Sequence, residues 1–298
     1  MPQKVLIITY YYPPAGGAGV QRWLKFSNLM VDLGWSPIIL TVKNGSFQAY
    51  DDSMLDEIHP SIKVFRTSSI EPFRIYNFLR GKKGKSVEAG MTSIKEKASL
   101  FQRIANHIRA NWFIPDARRG WNYFAISKAK TILKQHDIKA IITTGPPHSS
   151  HLIGLSIAKQ HKLPWLADFR DPWTQIYYNQ YLNRTKRSIQ LDYRLESQIL
   201  QNADAVTVVG QGMYDEFKER TKNIHIIYNG YDPQDFEAPA TIDSDKFKLS
   251  YIGGFMANQN HLPLWEAISE LIQTDASFKA HFQLRLTGKV DDPKSRAF

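Results

Sequence analysis

The stretch ADFRDPW puts Asp168, Arg170 and Asp171 within four positions, followed by Pro172 and Trp173. A carboxylate there can orient or deprotonate a hydroxyl, and a neighbouring guanidinium can fix that carboxylate or hold a phosphate. Trp173 adds an apolar face of the kind on which sugars stack. The plainer alternative is an Asp–Arg pair that braces two loops. A second place is TYYYPPAGGAGVQRW, residues 9–23, where Gly16, Gly17 and Gly19 stand between an apolar run and a helix-like pattern. Glycines at such a turn permit positive φ and let a ligand approach the backbone. A helix starting near Val20 aims free N–H groups and its positive dipole end at an anion. Arg22, in its first turn, either reaches that anion or faces solvent. This is not the dinucleotide fingerprint G-x-G-x-x-G.

The third place is TTGPPHSSH, residues 143–151. Pro146 and Pro147 stiffen the turn, Ser149 or Ser150 can cap the next helix, and His148 and His151 share a face at i,i+3. His148 is the candidate for hydrogen bonding to a ligand. No third ligand completes a metal set and no H-E-x-x-H occurs, so no metal is expected. Asn229 and Gly230, in NGYD, carry turn chemistry first and ligand lining second. Gly253 and Gly254 follow a later strand and can approach phosphates.

These residues need rigid elements to hold them. Strand-like runs at Val5–Thr9, Ser36–Val42, Lys63–Arg66, Ala140–Thr144, Trp165–Asp168, Ala205–Val209 and His225–Tyr228 alternate with helical patterns at Gln21–Leu33, His151–Lys159, Arg187–Gln201 and Gly212–Glu219. That alternation predicts an α/β fold, a Rossmann-like doubly wound parallel sheet with ligands at the carboxyl ends of its strands. Residues 70–120 break the rhythm as a basic, aromatic insertion with a predicted helix at Ile94–Ile108. Residues 238–247 read as a linker. The pattern restarts with KLSYIGGF, a helix at Leu262–Thr274 and the strand FQLRLTG. The expected domains are therefore 1–240 and 241–298, the second cut short.

The composition narrows the classes. A chain of 298 residues that is 43% hydrophobic supports a real core. No apolar run approaches the twenty residues of a membrane span, and the start is too short and strand-like for a secretory signal. The absence of cysteine fits a reducing compartment and a cytoplasmic location. The net charge of +10 is uneven: between Ser61 and Gln135, sixteen Lys and Arg face four Asp and Glu. With the aromatics of residues 72–121, that suits peripheral contact with an anionic membrane, or a solvated surface. Nucleic acid is not expected, since no RRM, KH or helix-turn-helix pattern is present.

Six stretches in order, YYPPAGGAGVQRWLKFSNLMVDLGW, TTGPPHSSHLIGLSIA, PWLADFRDPW, ADAVTVVGQGMYDEF, IIYNGYDPQDF and LSYIGGF, resemble a family 4 (group 1) retaining glycosyltransferase of GT-B fold. The resemblance implies an acceptor-side N-terminal domain facing a nucleotide-sugar-binding domain across a cleft. It implies transfer from a nucleotide-sugar donor, UDP- or GDP-linked, to a glycan or lipid-linked acceptor, with retention and without a metal or other cofactor. Catalytic roles then fall to Asp168, Arg170 and Asp171. Donor and acceptor binding falls to Gly16, Gly17, Gly19, Arg22, His148, Trp173, Asn229, Gly253 and Gly254. The setting implied is polysaccharide or cell-envelope glycan synthesis, at the inner face of the cytoplasmic membrane. Two departures stand out. The family's late Glu-x7-Glu motif does not occur before Phe298, and GGFMANQNH lacks the usual Arg and Lys, which reads as a truncated chain unable to turn over alone. A histidine common near Arg170 in the family is also missing from that stretch. The competing classes are a non-catalytic sugar- or partner-binding module and a nucleotide-sugar epimerase of the same architecture.

Overall fold

The computed structural model describes residues 2–47, 49–71, 107–233, 245–255 and 259–288. The expected helix at Ile94–Ile108 and the linker at 238–247 lie almost wholly outside them, as does most of the basic insertion. The chain forms two compact units, Met1–Gly230 and Tyr231–Phe298.

In the first unit, β1 (Gln3–Ile8), β2 (Trp35–Val42), β3 (Lys63–Thr67), β4 (Ile138–Gly145), β5 (Trp165–Phe169), β6 (Ala205–Val208) and β7 (Ile224–Ile226) form one sheet in the order β3-β2-β1-β4-β5-β6-β7. Every neighbouring pair is parallel. Strands covered on both faces read as continuous apolar runs, and Val5 to Ile8 and Ile38 to Leu40 are fully buried. The helices are α1 (Ala18–Asp32), α2 (Asn122–Gln135), α3 (Ser149–His161), α4 (Lys186–Asn202) and α5 (Gln211–Phe217). Helix α1 buries Val20, Trp23, Leu24 and Ser27, the three- and four-residue spacing of one helical face. It ends where Gly34 adopts φ 81°, the left-handed stop that glycine takes without strain.

Strand order reverses between β1 and β4. With right-handed crossovers, α1 lies on one face of the sheet, and α2 and α3 lie on the other. A crevice must open outside the carboxyl ends of β1 and β4. The Gly16–Gly19 turn and the Pro146–His148 turn emerge there, with the 168–173 stretch beside them.

Helix α2 was not anticipated by the sequence reading. Its buried positions are Ala125, Ala129 and Ile132, a stripe correctly spaced but so poor in large side chains that it hardly registers as apolar.

The second unit holds β8 (Phe247–Ile252), α6 (Leu262–Thr274), α7 (Ala276–His281) and β9 (Phe282–Thr287), with β8 and β9 parallel: one β-α-β unit.

Candidate functional site

Sheet register creates the centre of the site. Thr144, Asp168 and Thr207 lie side by side on β4, β5 and β6, so their side chains share a face. Asp168 is fully buried and accepts from both hydroxyls, Thr144 Oγ1 at 2.9 Å and Thr207 Oγ1 at 2.8 Å. From α1 it accepts Trp23 Nε1 at 2.7 Å, Arg22 Nη2 at 2.8 Å and Arg22 Nε at 3.3 Å. Five donors occupy its lone pairs, so Asp168 anchors α1 to the strand ends and offers no free oxygen to a reacting hydroxyl.

Arg22 neither faces solvent nor presents itself to an anion. It is 6% exposed, paired with Asp168, and donates through Nη1 to the Tyr228 carbonyl at 3.2 Å and Asn229 Oδ1 at 3.1 Å. It thereby ties the segment after β7 to the switch point and brings Asn229 there.

The three glycines of the first loop do different work. A Cβ on Gly16 would lie 3.2 Å from Asp51 Cβ, so the chain itself fills that side. A Cβ on Gly19 would lie 2.6 Å from Arg170 Nη1. Gly17 alone has φ 104° with nothing within 4 Å of a Cβ. It precedes α1, whose first residues Ala18 and Gly19 are exposed, and no side chain caps the helix. The α1 amino terminus is an open anion-binding end.

The amino terminus of α3 is already occupied. Neither Ser149 nor Ser150 caps it, contrary to expectation. Asp116, to which the sequence reading gave no role, accepts from Ser149 N at 2.8 Å and Ser149 Oγ at 2.9 Å. Burial pushes the Asp116 carboxyl up, and these hydrogen bonds oppose it.

Arg170 bridges the two switch-point turns by donating to the Gly19 and Pro146 carbonyls. Asp171 is the exposed carboxylate of the trio and accepts no hydrogen bond from the described residues. Partial burial of the carboxyl by the neighbouring loops pushes its pKa up, with Arg170 pulling it back. An exposed carboxylate with no hydrogen-bonded partner among the described residues is free to accept a hydrogen bond from a bound hydroxyl and orient it.

Trp173 is 3% exposed and donates to Asp192 at 2.7 Å. His148 covers one of its ring faces, stacked at 5.0 Å and 5°. Buried to this extent, Trp173 does not present the open stacking surface expected of it. His151 lies 6.1 Å from His148, stacked against Phe169 at 4.4 Å, and meets Thr143 Oγ1 at 2.8 Å. Sequence reading gave Glu196 no role, yet it is fully buried and accepts from Thr174 N and Oγ1, both at 3.0 Å. With Asp192 it clamps the loop that carries Trp173.

Both histidines are neutral because burial disfavours their charge; for His148 the value falls to about 3, with the Pro172 carbonyl opposing and Arg170 assisting. The unfolded chain binds a proton near pH 6.5 that folded His148 refuses. Stability present above pH 6.5 is therefore lost as pH falls toward 3, at up to about 1.4 kcal/mol per pH unit for each such group. Urea unfolding at pH 7, 5.5 and 4.5 should show this slope. The variant His148→Gln should lessen it by about one proton, and an unchanged slope would contradict the assignment.

Beside these turns lies a cavity of about 220 Å³, with Tyr11, Arg118, Pro147, His148, Trp173 and Arg184 in its wall. Among the described residues, no three His, Asp or Glu are grouped to hold a metal ion.

In the second unit, Gly253 takes φ 130° directly after β8, with nothing within 4 Å of a Cβ. The Gly254 carbonyl accepts from the Tyr251 hydroxyl at 3.0 Å. Residues 256–258 of GGFMANQNH are outside the described residues.

A seven-stranded parallel sheet reversing between β1 and β4, with a glycine turn at an open helix end, defines a Rossmann-like α/β protein of the GT-B type. Residues 89–235 match the model of Glycosyltransferase Family 4. The chain thus carries a family 4 glycosyltransferase segment on a GT-B fold, as its motifs indicated. Sucrose-phosphate synthase from Thermosynechococcus elongatus superposes with a TM-score of 0.52 at 14% identity, covering 98% of this chain and 63% of that one. HepE from Anabaena in complex with UDP gives 0.50 at 13% identity, covering 99% and 63%. A UDP-glucosyltransferase from Polygonum tinctorium capable of glucosylating indoxyl gives 0.50 at 7% identity, covering 95% and 66%. The chain spans less than two thirds of each. At these identities the likeness shows the fold. No curated protein sequence matches the chain.

Proposed function

We propose that the protein belongs to a glycosyltransferase that moves a hexosyl group from a UDP- or GDP-sugar to a glycan or lipid-linked acceptor, with retention and without a metal or other cofactor. The observation that carries this reading is the open amino terminus of α1 beside Gly17, set at the switch point while the neighbouring α3 end is filled by Asp116. Backbone N–H groups and the helix dipole there suit a donor phosphate. Gly253 offers a similar bare turn within the second unit. Retention fits a front-face reaction: the acceptor oxygen bonds to the anomeric carbon, the bond to the donor phosphate breaks, and the acceptor proton passes to the departing phosphate oxygen. Asp171 orients the acceptor hydroxyl in this scheme, Arg170 holds the two turns, and Asp168 and Arg22 keep α1 in place.

The reading places the protein in the cytoplasm, building polysaccharide or cell-envelope glycan at the inner face of the membrane. Among the described residues no helix is long and apolar enough to cross a membrane. Peripheral contact through the basic stretch of residues 72–121 belongs to the proposal. Titration of UDP and GDP into the purified protein tests donor binding, and transfer assays across a panel of sugar nucleotides with the full-length enzyme test the reaction. Binding of one nucleotide and transfer with retained anomeric configuration are expected. Failure of both nucleotides to bind, with no transfer, would overturn the reading.

A further inference from the structure

We infer that the cavity beside the switch point receives an acceptor end made of one sugar ring and an oxyanion, either phosphate or carboxylate. This rests on the acceptor-side reading of the first unit. At about 220 Å³ the cavity lies below the roughly 300–1,000 Å³ typical of sites for drug-sized ligands, so it suits a single ring with a small charged group.

Its wall is positively charged on balance. Arg109, Arg118 and Arg184 stand against Asp116 and Asp192. Both carboxylates are committed within the protein: Asp116 to Ser149 and the Arg118 backbone N–H, Asp192 to Trp173 and Arg184. His148, also in the wall, is kept neutral by burial.

Three wall residues carry buried polar atoms with no partner: Arg118 Nε, Arg184 Nε and His148 Nδ1. Buried polar groups are nearly always paired in folded proteins, and these three under-satisfied ones belong to residues of a single cavity wall, two of them arginines. Guanidinium groups bind oxyanions through short, charge-assisted hydrogen bonds that neutral sugars cannot match. Two of these arginines are also held in advance. Arg118 donates to the Ser46 carbonyl at 3.0 Å and lies over the Tyr10 ring, and Arg184 is paired with Asp192 at 2.7 Å. Arginines fixed before binding lose little side-chain freedom when an anion arrives.

The test is calorimetric titration of the protein, in saturating UDP or GDP, whichever binds, so that the donor phosphate site is filled, with methyl glucoside, glucose 1-phosphate and glucuronate. At least one charged ligand should bind about tenfold or more tighter than methyl glucoside, and the preference should shrink as salt is raised. The two charged arms tell phosphate from carboxylate. Arg118→Gln should abolish the preference while leaving nucleotide affinity unchanged, and Arg109→Gln serves if that variant does not fold. Equal binding of charged and neutral ligands, or no binding of any of them, would overturn the inference while nucleotide binding stands. Failure of the unaltered protein to bind either UDP or GDP would instead count against the glycosyltransferase reading itself.

Discussion

Replacing Gly17 with valine is expected to lower sugar transfer and nucleotide affinity by about 100-fold or more while leaving the fold in place. Gly17 sits at φ 104°, a conformation that a β-branched residue takes only as an outlier, at a cost of about 1–3 kcal/mol. No atom lies within 4 Å of the new Cβ, so nothing in the protein is pushed aside. The added methyl groups enter instead the open space beside the start of α1, where the donor phosphate is proposed to sit. A phosphate held by backbone N–H groups must come within about 3 Å of them, and a side chain in that space denies the approach. Nucleotide titration and urea unfolding on the same variant separate the two effects. Retained transfer would remove Gly17 from the donor site. Gly19→Ala acts otherwise, since its Cβ would meet Arg170 Nη1 at 2.6 Å and displace the guanidinium that joins the two turns.

The second large effect separates two aspartates that the sequence placed together. Asp168→Asn removes the negative charge facing Arg22, whose side chain is 3% exposed, and leaves a buried cation unpaired. Breaking such a pair from one side costs about 3–5 kcal/mol, a large part of the 5–15 kcal/mol that holds a typical domain together. Asp171→Asn, at an exposed carboxylate without a hydrogen-bonded partner among the described residues, should change stability by no more than about 0.5 kcal/mol. Its expected effect falls on kcat, by about 100-fold or more, because the carboxylate orients the acceptor hydroxyl toward the anomeric carbon. Urea denaturation and steady-state kinetics on both variants decide the matter. A stable Asp168→Asn protein, or a fully active Asp171→Asn protein, would reverse the roles assigned to them.

Much of the fold was legible because parallel strands buried on both faces leave unbroken apolar runs and are punctuated by glycine and proline. The family resemblance was legible for the same reason, since its motifs lie at those strand ends. Helix α2 escaped because alanines make a thin stripe. The site was less legible. ADFRDPW announced a charged cluster, but it could not say that Asp168 would be surrounded by five donors while Asp171 stood in the open. Thr144, Trp23 and Thr207 lie inside the quoted stretches without standing out in them, and Asp192 lies in none. Asp116 and Glu196 are acids whose roles depend on which loop happens to pack against them.

The sequence by itself determined the alternation of strand and helix, the glycine turn, and the order of the chemical stretches, because local propensity and periodicity are properties of neighbours along the chain. Only the tertiary structure decided which glycine faces open space, which helix end stays free for an anion, and which carboxylate keeps a lone pair. Those outcomes depend on partners tens to hundreds of residues away: Arg22 and Asp168 meet across 146 positions, and Gly19 and Arg170 across 151. Sheet register and the strand order around β1 and β4 bring them together. Availability for chemistry is what remains after those contacts are made.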